Sequence, residues 1–368
     1  MKKPSVIFLF GKLPPPYMGP AIATETLLRS GLKDRFDLVH IDTKINEDLK
    51  DMGSFSLKKI IRNLSIYKNI LKKNLGRKPD LVLIPISQST IGFLKDSLYI
   101  LLSRIFCRNI LLHLRGSEFR EWMDHSGAIN RMYVRFIFGM CSGVIVLGEN
   151  LKYLFKGYFP DERIFVAANG GDYTIPPRNR IDTNPVSILY LGNLQASKGI
   201  EDLVEAIHLL PAETRAEIEV TVIGGWRKES TRTKCLDLTE KHHLPIRFLG
   251  PEVSTQKLQY MSNADIFVFP PRAPEGHPWV LVEAMAAGLP IISTDRGAIV
   301  ESVKDGENGF IVPLEKPEAI AQRLEELISN QEKRQRMGLD SRKKYEAGFT
   351  EAHMVKNLEI IFNRVITA

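Results

Sequence analysis

The sequence predicts an α/β protein built from two doubly wound, Rossmann-like domains. Three observations support this prediction: the 368 residues suffice for two cores, short apolar runs alternate with helical patterns, and one proline-rich segment interrupts the alternation, which then starts again. Apolar strands separated by helices form parallel sheets covered on both faces. Ligands of such sheets bind beyond the carboxyl ends of the strands, so we expect the two domains to face a cleft.

The first domain is predicted to span residues 1–172. Its strand candidates are Ser5–Phe10, Leu38–Ile41, Leu81–Ile84, Ile110–Leu114, Gly143–Leu147 and Ile164–Ala167. Segments with helical period separate them, at Ile22–Leu32, Leu57–Leu75, Leu94–Phe106, Ala128–Met140 and Leu151–Tyr158. This order of elements predicts a parallel sheet between helices.

A linker is predicted at residues 173–185, which are polar, contain three prolines and lack periodicity. The second domain, 186–349, repeats the pattern, and a C-terminal helix at about 350–368 could pack back on the first domain. The strand candidates of the second domain are Ser187–Tyr190, Ala216–Ile223, Ile246–Leu249, Ile266–Phe269, Pro290–Ser293 and Gly309–Val312. Its helix candidates are Gly199–Leu209, Cys235–Lys241, Ser254–Met261, Val280–Ala287, Pro317–Ser329 and Glu332–Phe349.

Composition indicates a soluble globular protein, with 44% hydrophobic and 25% charged residues. The three cysteines have no metal or redox spacing, which favours a reducing cytoplasm over a disulfide framework. The apolar start at residues 6–10 is too short for a signal-peptide core, and no segment is typical of a membrane span. The net charge of +7 indicates an anionic partner, which could be nucleotide phosphate, nucleic acid or a membrane surface.

The most informative stretch is the loop and helix from Glu275 to Pro290. Two carboxylates, Glu275 and Glu283, flank a turn, and Pro278 suits the first turn of a helix that ends at Gly288. Free amides at such a helix start can bind phosphate or sugar oxygens. The alternative is a solvated helix start with two surface acids.

A second motif, Gly192–Gly199, follows the first strand of the second domain. Glycine permits close approach of the backbone and Lys198 supplies a flexible charge, where an α/β domain would hold a diphosphate. It is neither a dinucleotide fingerprint nor a Walker loop. Considered by itself, this motif could also be an ordinary strand-to-helix turn with an exposed lysine.

Two further positions lie after strands of the first domain. Gly19, in a proline-rich turn before a helix, could let a phosphate approach the backbone, or the turn could only shape the loop. His113 lies at the carboxyl end of a strand, although a lone strand histidine is more often structural than catalytic.

Together these motifs resemble those of the GT-B glycosyltransferases, specifically the large retaining family 4. The resemblance covers almost the whole chain and is strongest from Ser187 to Pro313. Residues 270–294 resemble the donor-site signature of two glutamates with seven residues between them, followed by its Glu-Ala-Met-Ala-x-Gly-x-Pro run. The segment 192–199 is similar to the phosphate motif that begins Gly-Arg and ends Lys-Gly, and 166–172 resembles an Asn-Gly-Val-Asp stretch.

The resemblance implies a nucleotide-sugar donor on the second domain and an acceptor on the first. Lys198 would neutralise the leaving diphosphate, Glu275 would accept hydrogen bonds from the donor sugar, and His113 would act near the transferred sugar. Glu283 would hold the ribose. The implied donor-binding set is Gly19, Asn193, Gly250, Val253, Gly276, His277, Pro278, Trp279 and Glu283.

One position departs from the family pattern, because Asn193 stands where the family has arginine. Asparagine brings no charge, so the diphosphate could depend more on Lys198 or on another cation, Arg272 or Arg115. No Asp-x-Asp metal motif lies in a suitable loop, so we expect transfer without a metal or other cofactor, and the resemblance implies retention of anomeric configuration.

A basic segment from Lys58 to Lys78 contains no acid. Ile60, Leu64, Tyr67 and Leu71 recur at helical spacing and could pack on the sheet while the cations are solvated. Alternatively the cations contact anionic lipid at the inner face of the membrane, each adding roughly 1 kcal/mol. The cations are Lys58, Lys59, Arg62, Lys68, Lys72, Lys73, Arg77 and Lys78.

The sequence therefore predicts a retaining, metal-independent transferase that moves a hexosyl unit from an NDP-sugar to a glycan or lipid-linked saccharide, in surface polysaccharide biosynthesis. Two alternatives remain open at this point: a GT-B nucleotide-sugar epimerase, and an inactive GT-B protein that binds a polyanion or partner. Nucleic-acid binding is not expected, because aromatic residues are not interleaved with the basic ones.

Overall fold

The computed structural model describes residues 3–15, 17–44, 57–179, 185–252 and 256–368. In the helix that begins at Leu57, it describes the side chain of Arg62 and those from Leu64 onward. The chain divides into two compact units: Met1–Gly171 with Glu351–Ala368, and Asp172–Thr350. The described part of the predicted linker, 173–179, thus belongs to the second unit, where Arg178 Nη2 donates to Asp265 Oδ1 at 2.7 Å.

The sheet of the first unit contains six parallel strands in the order β2-β1-β3-β4-β5-β6. Its strands are β1 Val6–Gly11, β2 Asp37–Asp42, β3 Leu81–Ile86, β4 Ile110–Leu114, β5 Gly143–Val146 and β6 Ile164–Val166. Every residue of β4 and β5 is buried, as the uninterrupted apolar runs predict for strands covered on both faces. The chain passes from β1 to β2 on one side and to β3 on the other, which creates a switch point between β1 and β3.

Helices of the first unit pack on both faces of this sheet. They are α1 Gly19–Arg29, α2 Leu57–Gly76, α3 Thr90–Arg104, α4 Phe119–Asp124 and α5 Ala128–Gly139. The helix predicted at Leu151–Tyr158 is a 3₁₀ segment, Glu149–Phe155. It holds Phe155 against Phe119 of α4, with ring centroids 4.5 Å apart. With only six residues, α4 is too short for its period to be detected in the sequence.

The second sheet also has six parallel strands, in the order β12-β11-β10-β7-β8-β9. They are β7 Val186–Leu191, β8 Ile218–Ile223, β9 Ile246–Phe248, β10 Ile266–Phe269, β11 Ile291–Ser293 and β12 Gly309–Ile311. This is the order of nucleotide-binding Rossmann sheets, and its switch point lies between β7 and β10.

Helices of the second unit alternate with these strands. They are α6 Ile200–Leu209, α7 Ala212–Ala216, α8 Glu229–Lys241, α9 Gln256–Asn263, α10 Trp279–Ala286, α11 Ile299–Ser302, α12 Pro317–Ser329 and α13 Gln331–Gly348. The last helix, α14 Glu351–Thr367, belongs to the first unit. There Phe362 packs edge-on against Phe36 at 5.6 Å, and Glu351 accepts the N–H of Gly31.

Helix α2 faces the sheet differently from the prediction. Leu64 and Leu71, predicted to pack inward, are 61% and 37% exposed, while Ile66 and Ile70 are buried. Two apolar stripes at helical spacing run along this helix, so periodicity alone does not identify the inward one. The outward stripe also includes Leu75, which is 78% exposed.

Among the described residues, no helix is both long enough and apolar enough to cross a membrane. The three cysteines, Cys107, Cys141 and Cys235, are buried and unpaired. Burial raises the pKa of the Cys141 and Cys235 thiols to about 12, so both are uncharged.

Candidate functional site

Lys198 and Glu275 meet at the carboxyl edge of the second sheet. Lys198 ends a 3₁₀ turn, Ala196–Lys198, that follows β7, and Glu275 lies in the loop after β10. The Lys198 ammonium donates to Glu275 Oε1. Strands β7 and β10 are neighbours that flank the switch point, so this ion pair lies where α/β sheets bind their ligands.

Two glycines allow these turns to approach other loops closely. Gly199 adopts φ +75°, and a Cβ there would lie 1.9 Å from the carbonyl oxygen of Pro270. Gly297 adopts φ +60°, and a Cβ there would lie 1.5 Å from the carbonyl oxygen of Glu275. Only glycine fits either position, because a side chain would meet backbone that cannot move aside.

Glu283 is the second carboxylate and lies in the middle of α10. The residue is 4% exposed, and its Oε1 accepts a hydrogen bond from Lys257 Nζ of α9 at 2.5 Å. Burial raises the pKa of Glu283, and Lys257 opposes that shift. The other oxygen, Oε2, is buried and has no hydrogen-bond partner in the described chain, so it can accept a ligand hydroxyl.

His277 points into the protein interior. Its Nε2 is 2.6 Å from Ser302 Oγ, and its ring stacks on Phe349 at 5.3 Å. Burial lowers the pKa of His277 to about 4, so the ring is neutral at pH 7. The side chain therefore has a structural contact, and only the backbone of this position could bind a donor.

Arg272 is engaged with acids of α6 and does not fit the predicted role of a spare phosphate cation. Its Nε and Nη2 donate to the two carboxylate oxygens of Asp202 at 2.7 and 2.6 Å. The pKa of Arg272 is raised, chiefly by this hydrogen-bonded carboxylate. The Arg272–Asp202 pair fixes the loop before Glu275. The backbone N–H of Arg272 also donates to the carbonyl oxygen of Ser197 at 3.1 Å.

Arg227, which the sequence motifs did not indicate, supplies a cation beside Asn193. The Nε and Nη2 of Arg227 donate to Asn193 Oδ1 at 3.2 and 2.9 Å. Arg227 is exposed, and its N–H donates to the carbonyl of Leu194. A guanidinium thus lies at the turn where the resemblance predicts an arginine and this sequence has Asn193.

The remaining predicted donor positions of the second unit lie at the same sheet edge. Pro278 precedes α10 as its cap residue, Trp279 begins the helix and is buried, and Gly276 accepts the N–H of Ala298 at 2.8 Å. Gly250, with φ +78°, accepts the N–H of Gly224 at 2.8 Å after β9. Val253 lies outside the described residues.

The predicted positions of the first unit lie at the carboxyl ends of β1 and β4. Gly19 begins α1 and is exposed. His113 is buried, neither ring nitrogen has a hydrogen-bond partner among the described residues, and its pKa is well below the usual value because of burial and the nearby Arg115. Arg115 Nη1 donates to the Pro20 carbonyl and to Thr24 Oγ1. The catalytic role of His113 stays a prediction.

Comparison with known proteins identifies the second unit. Residues 173–344 match the family model described as Glycosyl transferases group 1. These residues form a glycosyl transferases group 1 domain. The group 1 domain contains Lys198, Glu275 and Glu283, and the match confirms the resemblance predicted from the motifs.

Two curated relatives each align with about half of this chain. Spore coat protein SA of Bacillus subtilis is 32% identical over 186 residues, 48% of this chain and 48% of that protein. The capsular polysaccharide biosynthesis glycosyltransferase CapM of Staphylococcus aureus is 30% identical over 176 residues, 47% of this chain and 45% of that protein. The chain thus matches about half the length of these curated relatives.

Solved structures of low identity share the fold along the whole chain. Sucrose-phosphate synthase of Thermosynechococcus elongatus superposes with a TM-score of 0.77 at 16% identity over 99% of both chains. Anabaena HepE in complex with UDP and glucose gives 0.73 at 16% identity, covering 98% of this chain and 100% of that one. These likenesses confirm the predicted fold class, two Rossmann-like α/β domains of the GT-B type.

Proposed function

We propose that this protein is a retaining glycosyltransferase of family 4 that transfers a hexosyl unit from an NDP-sugar to a glycan or lipid-linked saccharide. The observation that supports this most is the Lys198–Glu275 ion pair at the switch point of the group 1 domain. A cation and a carboxylate in contact at that edge suit a ligand that carries phosphate next to sugar hydroxyls.

Each part of the donor has a partner on the second unit. Lys198 and Arg227 approach the diphosphate, where charge grows as the leaving group departs. Glu275 accepts hydrogen bonds from the sugar, and the unpartnered Oε2 of Glu283 accepts one from the ribose. The amides at the start of α10 favour the same negative charge.

Transfer with retention is proposed to occur on one face of the sugar. The acceptor oxygen bonds to the anomeric carbon as the bond from that carbon to the diphosphate oxygen breaks, and the acceptor proton passes to the departing phosphate. Side-chain cations do the electrostatic work that a divalent metal would otherwise do. The transfer is therefore proposed to be metal-independent.

The names of relatives support a role in polysaccharide biosynthesis. CapM is a capsular polysaccharide enzyme, WcaL of Escherichia coli is a putative colanic acid biosynthesis glycosyltransferase, and HepE was solved with UDP-glucose. A uridine diphosphate donor is accordingly the first to test.

The test combines binding and transfer in matched variants. Lys198→Gln should weaken UDP binding and lower transfer by about a hundredfold or more, the cost of removing a group that stabilises developing charge. Glu275→Gln should lower transfer but leave UDP affinity equal or higher, because the ammonium loses its internal partner. Lys241→Gln, an exposed lysine at the opposite edge of the sheet, is the control. Wild-type transfer in Lys198→Gln would refute the assignment.

The alternatives differ in what they do to the donor alone. An epimerase would convert the nucleotide sugar without an acceptor, whereas the proposed transferase forms product in proportion to acceptor. An inactive binding protein would form no product with any of the UDP-, GDP- and ADP-sugars. Product analysis with and without acceptor separates the three.

We further propose that α2 contacts anionic membrane. Its outward stripe, Leu64, Leu71 and Leu75, is exposed and flanked by the exposed Lys68 and Lys72. Exposed leucines among lysines suit an interface with acidic lipid headgroups. Two other predicted cations already bind the protein, since Lys73 donates to the His40 carbonyl and Arg77 pairs with Asp37. The side chains of Lys58 and Lys59 lie outside the described residues.

Vesicle flotation tests this contact. Lys68→Glu/Lys72→Glu should reduce binding to anionic vesicles by about tenfold or more, since each cation contributes roughly 1 kcal/mol. Leu64→Ser/Leu71→Ser should reduce it through lost burial, without a change in charge. Lys228→Glu/Lys241→Glu, with the same charge change on the second unit, is the control. Unchanged flotation of both α2 variants would exclude the contact.

A further inference from the structure

A cavity of about 350 Å³ opens at the carboxyl edge of the first sheet. It is lined by residues that follow three strands: Lys12 and Leu13 after β1, Ser87 and Gln88 after β3, and Arg115 after β4. The switch point of this sheet lies between β1 and β3, so the cavity has the position of a ligand site.

The charges that line this cavity do not balance. Four cations line it, namely Lys12, Lys44, Lys95 and Arg115, against one acid, Asp96. Asp96 is buried and already has two donors, the Lys95 ammonium and the Ser87 N–H at 2.7 Å. The lining thus carries a net positive charge, which Asp96 and the nearby Asp42 offset only in part.

Arg115 shows the imbalance most clearly. One nitrogen, Nη1, donates to Thr24 Oγ1 at 2.8 Å and to the Pro20 carbonyl, which fixes the plane of the guanidinium. Its Nε and Nη2 are buried and have no hydrogen-bond partner in the described chain. Burial lowers the pKa of Arg115 to about 10, so it remains charged at neutral pH. A buried guanidinium edge with two idle donors fits two oxygens of one anion.

Lys12 adds a second cation. Desolvation and the neighbouring Lys95 ammonium, in that order, lower the pKa of Lys12, while Asp96 and Asp42 act in the opposite direction. A bound anion would relieve the repulsion between the two lysines. Both features indicate that the cavity is completed by negative charge.

The rest of the cavity indicates that the ligand is larger than an inorganic ion. Its walls include the buried apolar side chains of Phe10, Ile84 and Tyr99. Lys44 also lines a neighbouring cavity beside α2, together with Arg62, Lys68 and Lys72. Cations thus continue from the cavity to the basic face of α2.

We propose that this cavity binds the phosphate group of a phosphorylated acceptor. Arg115, through Nε and Nη2, and Lys12 hold the phosphate oxygens, and the apolar wall accommodates the group that the phosphate esterifies. The proposal rests on the proposed function, which assigns the nucleotide sugar to the second unit. It adds the class of acceptor, a phosphate ester carried either on a soluble sugar or on a lipid.

Calorimetry on the full chain tests the site with hexyl phosphate as the probe and hexanol as its uncharged counterpart. We expect saturable binding of hexyl phosphate and none of hexanol. Arg115→Gln should weaken it by about tenfold or more, as expected for loss of hydrogen bonds to a charged group. Lys12→Gln, at an exposed position, should weaken it about threefold to tenfold, and it keeps the test valid if Arg115→Gln fails to fold.

Two controls separate this site from the donor site. Arg108→Gln removes the same charge at the amino edge of the same sheet and should bind hexyl phosphate like the wild type. Lys198→Gln should also bind it normally while losing UDP affinity. Loss of hexyl phosphate binding in Lys198→Gln, or normal binding in both Arg115→Gln and Lys12→Gln, would overturn the cavity assignment and leave the donor assignment standing.

The carrier of the phosphate is distinguished by a second pair of probes. Tighter binding of farnesyl phosphate in phosphatidylcholine vesicles than of hexyl phosphate, dependent on Arg115, supports a lipid-borne acceptor. Equal affinity for hexyl phosphate and farnesyl phosphate, with both tighter than inorganic phosphate and dependent on Arg115, supports a soluble phosphorylated sugar. Binding of farnesyl phosphate and farnesol alike would overturn phosphate recognition.

Discussion

The carboxyl edges of the two sheets differ in how their charges are balanced. At the second sheet three pairs of charged side chains join different elements: Lys198–Glu275, Lys257–Glu283 and Arg272–Asp202. At the first sheet Arg115 has no acidic partner in the described chain, and two of its nitrogens are idle. The first edge therefore has an excess of cations. At the second edge, ion pairs between elements hold the loops in place without a ligand.

This difference has consequences for mutation. A paired charge holds loops in place, so removing it costs stability, and the partner left behind is destabilising. An unpaired cation is itself unfavourable in the free protein, so removing it should cost ligand binding with little loss of stability. Stability and affinity measured on the same variants therefore distinguish the two edges.

The largest expected effect concerns the buried histidine beside the second site. Because burial lowers the pKa of His277 to about 4, the unfolded state binds a proton below pH 6.5 that the folded state binds only near pH 4. Stability should therefore fall as the pH decreases from 6.5 to about 4, by about 3 kcal/mol from this residue alone.

His277→Gln should remove that part of the pH dependence. The measurement is the difference in unfolding free energy between wild type and variant at pH 7 and pH 4.5, with hydrogen exchange of residues 279–302 to localise it. The variant should be relatively more stable at the lower pH. A difference that does not change with pH would show that His277 does not remain neutral in the folded state.

The next effect tests the correction at Arg272. Asp202→Asn should destabilise the second unit by about 1–3 kcal/mol, because the buried carboxylate at this position is lost and the half-buried guanidinium of Arg272 loses its bidentate partner. UDP affinity should fall with it, since the loop that holds Glu275 loosens. Asp237→Asn, an exposed position of α8, is the control for thermal unfolding and UDP titration. Tighter UDP binding in Asp202→Asn would instead return Arg272 to the role of phosphate cation.

Much of the fold could be predicted because its signals are local. All twelve predicted strands are present in the described chain, since each is a short apolar run between helical segments. The turns at Lys198 and Glu275 were predicted because glycine and proline mark them in the sequence. Three short helices, α4, α7 and α11, were not predicted, because four to six residues show too little periodicity.

The parts that could not be predicted depend on contacts between distant positions. Arg272 was expected to be available, but its partner Asp202 lies 70 positions earlier in the chain. Arg227 cannot be predicted as a site residue, because its contact with Asn193 spans 34 positions and no motif marks it. One of the two interpretations of α2 places Leu64 and Leu71 on the sheet, because they have the same period as the stripe that is buried. Side-chain partners of this kind depend on tertiary packing, which spacing alone does not encode.

The smallest expected effect concerns Arg227, a cation at the second edge whose side-chain partner, Asn193, is neutral. Its two hydrogen bonds to Asn193 Oδ1 orient the guanidinium without cancelling its charge, so it resembles the cations of the first edge more than its neighbours. Arg227→Gln should weaken UDP binding by about tenfold with little change in stability. Arg232→Gln, an exposed arginine of α8 that pairs with Glu229, is the control in the same titration.

A second substitution makes this test sharper. Asn193→Arg in the Arg227→Gln background puts the charge back on the turn after β7, from the position where the family carries it. UDP affinity should then return close to that of the wild type, because the diphosphate responds to the charge at this edge and not to the residue that supplies it. Asn193→Arg alone places two guanidinium groups side by side, and their repulsion should cost stability in the free protein. If the double variant binds UDP as weakly as Arg227→Gln, the position of the Arg227 guanidinium matters and not only its charge. Arg227 would then differ from the cations at the edge of the first sheet.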